Sequence, residues 1–138
     1  MNNNKSAIIT GAGTGIGKGI ELKFAESDFN LILASRNVDN LNKVKKDCDL
    51  LNNDSSYVIQ TDITDEKSVD NLFSESKSKF GKIDVLINNS GVFDGGAIDE
   101  ISVETWDKVI SVNLRGAFLC LRQAMKLIKT QKYGRILN

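Results

Sequence analysis

The residues best suited to chemistry lie in Thr10-Gly11-Ala12-Gly13-Thr14-Gly15-Ile16-Gly17, where an apolar run breaks into glycines and then opens an amphipathic segment. Glycine lets a backbone turn sharply and approach a ligand closely, because no Cβ intervenes. A helix that starts just after such a turn presents unpaired N–H groups and a partial positive charge, which together seat a diphosphate. A Walker-type phosphate loop does not fit, since Gly17-Lys18 is followed by Gly19 rather than Ser or Thr. The G-x-G-x-x-G fingerprint started at Gly11 also fails, because it needs glycine where Ile16 stands. What remains is T-G-x-x-x-G-x-G, which reads either as a dinucleotide site or as a structural turn.

Other candidates follow at intervals: Ser35-Arg36, Asp62-Ile63, Asn88-Asn89-Ser90-Gly91 and Asn113. Histidine is absent, which removes Ser-His-Asp triads, histidine bases and histidine-ligated metals, and no metal site is expected. Cys48 and Cys120 are far apart with no C-x-x-C. They suit a reducing compartment and read as small core residues.

The elements that must position these residues alternate between two periods. Ala7 to Thr10 is apolar and β-branched, as in a strand buried on both faces. Ile16, Ile20 and Phe24 recur at helical spacing, so Gly15 to Ser27 reads as a helix with those residues inward. Asn30 to Ser35 is a second strand, and Leu41, Val44, Cys48 and Leu51 mark the inner face of a second helix. Ser56 to Thr61 is a third strand with Asp62 at its carboxyl end. Thr64 is the expected N-cap of a helix whose inner face is Val69, Leu72, Phe73, Ser76 and Phe80, closed by Gly81. Ile83 to Ile87 is a fourth strand, Ser102 to Thr130 a long helix bent near Gly116, and Tyr133 to Asn138 opens a fifth strand. This order predicts an α/β fold: a Rossmann-type doubly wound parallel sheet with helices on both faces, ending after the fifth strand. Ligands in such sheets gather at the carboxyl ends of the strands, where Gly11 to Gly17, Arg36, Asp62 and Asn88 to Gly91 all fall.

Length and composition set the limits. The 138 residues, 41% of them hydrophobic, suit one domain spanning positions 1–138. Eighteen basic and eighteen acidic residues cancel, so nothing favours nucleic acid or a membrane surface as partner. The N-terminus Met1-Asn2-Asn3-Asn4-Lys5 is polar and has no apolar signal core. No apolar run approaches the ~18 residues of a membrane span, so a cytoplasmic protein is expected.

Five pieces, in this order, resemble the short-chain dehydrogenase/reductase family: Thr10 to Gly17, Asp62-Ile63-Thr64, Asn88 to Gly91, Trp106 with Val112-Asn113-Leu114, and Gly134-Arg135-Ile136-Leu137-Asn138. Ser90 stands where the family usually has alanine. The resemblance implies an NAD(P)-binding oxidoreductase that moves a hydride between nicotinamide and an alcohol or carbonyl. It implies that Gly11, Thr14, Gly15 and Ile16 surround the diphosphate and that Gly17 lets the helix sit close on the sheet. Asp62 would bind the adenine amino group, or else cap the next helix, with Ile63 near the ring. Asn89, Ser90 and Gly91 would pass beneath the adenosine ribose, with Asn88 tying strands together. Trp106 is expected to be packing. Asn113 is the one catalytic residue carried over, positioning a water that links the family's lysine to solvent. Its place between Val112 and Leu114 suggests a buried amide needing a partner.

The cofactor's adenosine end is read from Ser35-Arg36, where NAD-preferring folds place an acid. Arginine there and no carboxylate at Ser35 predict NADP(H) over NAD(H). The family's catalytic serine falls just after Asn138 and its Tyr-x-x-x-Lys pair later. Tyr57 and Tyr133 do not substitute, being followed four residues on by Thr61 and Leu137. The 138 residues are therefore expected to be the cofactor-binding half, inactive alone; a non-catalytic dinucleotide-binding module and a truncated product without function are the alternatives. The apolar residues of the long helix cover more than one side. Together with the resemblance they predict a homodimer or homotetramer through Val103 to Thr130, with Ala117 facing the twofold.

Overall fold

A computed structural model describes residues 4–138; residues 1–3 of the polar N-terminal run lie outside the described residues. Strand β1 (Ser6–Thr10) is buried at all five positions, which is what an apolar strand with cover on both faces requires. It pairs in parallel with β2 (Asn30–Ser35) on one side, Ile8 opposite Ile32, and with β4 (Val85–Ile87) on the other, Ile8 opposite Leu86. β3 (Ser56–Gln60) lies beyond β2 and β5 (Arg135–Leu137) beyond β4, giving the order β3-β2-β1-β4-β5. The reversal of strand order beside β1 is the switch point at which such sheets open a crevice.

Alternation along the strands sorts the core into two layers. Ala7, Ile9, Leu31, Leu33, Val85 and Ile87 face helices α1 (Gly15–Glu26) and α2 (Val38–Leu51). Ile8, Ile32, Ile59 and Leu86 face α3 (Glu66–Phe80) and α5 (Ala117–Gln131). The fold is thus the doubly wound Rossmann-type sheet. Ile8, Ile9, Leu31, Ile32 and Leu33 are fully enclosed, each stabilising the fold by about 1.5–3 kcal/mol through burial. Truncating any one to alanine costs about 2–5 kcal/mol.

Several local expectations need correction. The buried face of α1 is Gly17, Glu21 and Ala25, while Ile16 is 77% exposed and Ile20 and Phe24 only flank the core. Gly17 must face the sheet there because the helix start lies against the Gly11 carbonyl, and Glu21 and Ala25 follow on the same face. α3 is capped by Asp65, whose Oδ1 accepts the Lys67 N–H, rather than by Thr64, whose hydroxyl is bound to Asp62. Leu51 and Trp106 are exposed rather than packed. Ile83 and Asp84 precede β4, and the Asp84 carboxylate accepts the Ser6 N–H instead of continuing the strand. The long helix comprises α4 (Val103–Ile110), a π-helical segment Ser111–Gly116 and α5, so the bend near Gly116 takes the form of a widened turn. At Gly116 a Cβ would lie 2.8 Å from Ile63 Cγ1, which is how this segment comes down onto the sheet.

Cys48 and Cys120 are buried and unpaired, and burial pushes both thiols up to about 12, so they behave as small apolar residues. Among the described residues, no helix is long and apolar enough to cross a membrane.

Candidate functional site

The carboxyl end of β1 is held by one hydroxyl. Thr10 Oγ1 donates to the Ile87 carbonyl at 3.3 Å and accepts the N–H groups of Asn89 and Ser90, each at 3.2 Å. The chain then turns through Gly11 at φ 64°, a left-handed conformation that glycine adopts without strain. A side chain at Gly11 would meet Asn89 O and Ser90 Cα at 2.8 Å. Asn89 Nδ2 donates to the Gly11 carbonyl at 3.0 Å, and a Cβ at Gly17 would overlap that carbonyl and come within 2.8 Å of Asn89 Nδ2. Gly11, Gly17 and Asn89 therefore interlock, and the absence of two methyl groups is what allows it.

Beyond the turn, α1 begins at Gly15 with Thr14 as extended N-cap, yet no side chain caps the helix and its first turn has no acidic residue. Its leading N–H groups thus receive no bond from the Thr14 side chain, the condition under which a helix start can accept an anion. The Gly13 N–H is already committed, donating to Glu21 Oε1 at 2.9 Å. Glu21 is fully enclosed, its Oε2 has no hydrogen-bond partner among the described residues, and burial pushes its carboxyl up to about 7 against the opposing influence of the Gly13 N–H and Lys18.

A cleft of about 920 Å³ opens above this loop, lined by Gly11, Thr14, Gly15 and Ile16 together with Ser35, Arg36, Asn89 and Gly91. A recess of about 130 Å³ adjoins it and brings in Asp62, Ile63, Ser90 and Val112. Gly11, Ser35, Arg36 and Gly91 line both. Arg36 has no ion-pair partner among the described residues, while Gln60 Nε2 holds its carbonyl at 3.1 Å. Asp62 Oδ1 accepts both the hydroxyl and the N–H of Thr64, at 2.7 and 2.9 Å. Those bonds, with the Arg36 charge nearby, hold its carboxyl below the ordinary range despite partial burial. Asp62 therefore stabilises the turn into α3 while lining the recess.

Asn113 lies outside both spaces. It is exposed, correcting the expectation of a buried amide, and both ends of its amide are bound to one residue. Oδ1 accepts the Val92 N–H and Nδ2 donates to the Val92 carbonyl, each at 2.8 Å. Asn88 ties strands as expected, its N–H meeting the Leu137 carbonyl and its side chain Asn138.

Sequence reasoning missed Asn37, Asn40, Gln60 and Glu21. Asn37 caps α2 by accepting the Asn40 N–H at 3.0 Å, and both line the cleft. The Asn-x-x-Asn spacing just after a strand was the available signal. Glu21 is four residues beyond Gly17, which places it on whichever face Gly17 presents.

Together these features make a concave site in which the glycine turn lies beside the Arg36 guanidinium, and the fit to a dinucleotide rests on the cradle that methyl groups would fill. The family model for short chain dehydrogenase matches residues 5–138. An uncharacterized oxidoreductase of Staphylococcus aureus is 33% identical over 135 residues, and one of Staphylococcus haemolyticus is 32% identical over 136. The matches cover 98% and 99% of this chain but only 57% and 58% of those proteins, so the chain spans a little over half their length. Among solved structures, an alcohol dehydrogenase of the archaeon Thermococcus sibiricus complexed with 5-hydroxy-NADP is similar at a TM-score of 0.91 and 27% identity, over 97% of this chain and 57% of that one. A variant actinorhodin polyketide ketoreductase with NADPH is similar at 0.93 and 26%, over 99% and 52%. With the fold, the interlocked glycine turn and the family match over residues 5–138 in agreement, the chain belongs to the short-chain dehydrogenase family of oxidoreductases.

Proposed function

We propose that residues 1–138 form a single NADP(H)-binding domain of an oxidoreductase acting on a small carbonyl or alcohol. The observation that carries this reading is the position of Ser35 and Arg36 in the same cleft as the glycine turn. A guanidinium without a carboxylate partner attracts a 2′-phosphate, and a serine in place of an acid does not repel it. A bound nicotinamide would supply hydride exchange with the substrate carbon. The amides of Thr14, Gly15 and Ile16 would hold the diphosphate, Asp62 and Ile63 would hold adenine, Asn89 to Gly91 would support the ribose, and Asn113, its amide bound to the Val92 backbone, would fix the segment that continues from them. The NADP-type ligands in the two similar structures support the choice of phosphate-bearing cofactor. The test is a titration of the full-length protein with NADPH and NADH, and equal or tighter NADH binding would sink it.

Neither tyrosine of this chain is offered to the cleft. Tyr57 packs edge-on against Phe80 beneath Lys79, and Tyr133 lies near Lys5 and Arg135, at the opposite edge of the sheet. A carbonyl oxygen would thus find no proton donor among them, so the 138 residues alone bind cofactor without turning over. The complete protein assembles as a homodimer or homotetramer. In support, Leu114, Phe118 and Met125 form an exposed apolar stripe on the outer side of the long helix. A cytoplasmic location accords with two unpaired, buried cysteines.

A further inference from the structure

Glu21 is the group in this molecule whose environment the site does not yet explain. It is a carboxylic acid with no exposed surface, directly beneath the loop assigned to the diphosphate. One oxygen fixes the Gly13 N–H at 2.9 Å and the other is buried without a hydrogen-bond partner among the described residues. An ionised carboxylate in that position carries an unsolvated charge, whereas a neutral acid keeps the same bond to Gly13 through its carbonyl oxygen.

The surroundings do little to neutralise it. β1 and β2, which pack against α1, contribute no charged side chain. α2 contributes Cys48, whose thiol stays neutral, and the carboxylates Asp47 and Asp49. Asp47 is engaged with Lys18 at 3.2 Å, and Asp49 with Lys45. Lys18, on α1 itself, is a cation whose charge favours the ionised form, and it is half-exposed and already paired with Asp47.

We propose that Glu21 is a positioning residue of the dinucleotide site: it shapes the loop through Gly13, and its protonation couples diphosphate affinity to pH. The inference rests on the proposed dinucleotide binding. A neutral Glu21 leaves the loop amides free to meet the diphosphate. An ionised Glu21 sets a second negative charge behind those amides, in a poorly solvated place where screening is weak. Binding therefore favours the protonated acid and takes up a proton from solution when the free protein is ionised. The burial that places its titration near 7 makes this range the physiological one.

The test compares NADPH and NADH affinities of the full-length protein and its Glu21→Gln variant between pH 6 and 8.5. Glutamine keeps an acceptor for Gly13 and cannot ionise, and both proteins see the same titration of the ligand. The ratio of wild-type to variant affinity is expected to fall about tenfold across this range, equivalent to a rise of one pKa unit on binding. A ratio constant with pH overturns the proposal. As a measurement independent of the variant's folding, carbon-13 NMR of labelled glutamate follows Glu21 directly. A titration near 7 that moves upward on saturation with NADPH supports the proposal, and one near 4.5 that does not move overturns it. Failure of wild-type protein to bind either dinucleotide at any pH rejects the cofactor reading and this inference with it, whereas binding with a constant ratio rejects the inference alone.

Discussion

Gly17 and Gly19 stand two residues apart on α1, and the structure assigns opposite signs to their replacement by alanine. A methyl at Gly17 would overlap the Gly11 carbonyl and press on Asn89 Nδ2, and both contacts are with parts of the site that have no room to move. Gly11 is held in turn by Asn89 and Ser90, and Asn89 by Thr10. Overpacking of this kind costs about 1–3 kcal/mol. Losing the 3.0 Å bond from Asn89 Nδ2 to the Gly11 carbonyl adds about 0.5–1.5 kcal/mol. Gly17→Ala is therefore expected to destabilise the fold by about 2–4 kcal/mol. Gly19 has nothing within 4 Å of its would-be Cβ and lies in the exposed interior of α1. There alanine reduces the entropy lost on folding, and Gly19→Ala is expected to stabilise by about 0.5–1 kcal/mol. Urea denaturation reads both changes as shifts of midpoint at constant slope. Calorimetric titration with NADPH should show Gly17→Ala weakened about tenfold or more, corresponding to about 1.4 kcal/mol of loop distortion carried into binding. Gly19→Ala should bind as wild type. Equal effects of the two substitutions would refute the interlocked cradle, as would a Gly17→Ala protein of unchanged stability.

Asn113→Ala removes two bonds to Val92 and is expected to cost about 1–2 kcal/mol in denaturant midpoint. Asn113→Asp should be no better, because it turns the donor facing the Val92 carbonyl into a second acceptor. Stability should also depend on pH through Glu21: its carboxyl titrates near 7 when folded against 4.5 as the ordinary value, so the native state holds the proton more tightly. Stability is then lost as pH rises from about 4.5 toward 7 and levels off above, by about 3 kcal/mol at most. Glu21→Gln should abolish that component of the slope. Ala117→Arg, a charge beside the exposed stripe of the long helix, should lower the mass seen by light scattering in the full-length protein while leaving cofactor affinity unchanged. A monomer in wild type would remove the basis for this last expectation.

What was legible in the sequence is what one local period decides. β1 reads as a central strand because nothing polar interrupts its apolar run before Thr10, and α3 shows its inner face because Val69, Leu72, Phe73 and Ser76 are the residues buried. α1 misleads for a specific reason. Ile16, Ile20 and Phe24 form one stripe, and Gly17, Glu21 and Ala25 form the next, a single residue and about 100° further round. Counting hydrophobic side chains selects the first, but the close approach at Gly17 requires the second, and only the position of the Gly11 carbonyl decides between them. The cap of α3 was ambiguous because Asp62, Thr64 and Asp65 all have the right chemistry. Asp62 occupies Thr64, which leaves Asp65 to cap. The π-helical segment has no composition of its own.

That segment bears on how distant motifs act on one another. A turn widened to i→i+5 changes the direction of every side chain after it. Here Asn113 lies within the widened turn with its amide flat against the backbone of Val92. The stretch from Asn88 to Val92 is consequently held at three places: by Leu137 and Asn138 at its start, by Thr10 and Gly11 in its middle, and by Asn113 at its end. Val92 thus joins the long helix, through Asn113, to the segment whose Asn89 bonds the Gly11 carbonyl against which Gly17 packs. The glycine turn and the asparagine are separated by roughly a hundred positions in the chain, yet only one short backbone segment lies between them in space.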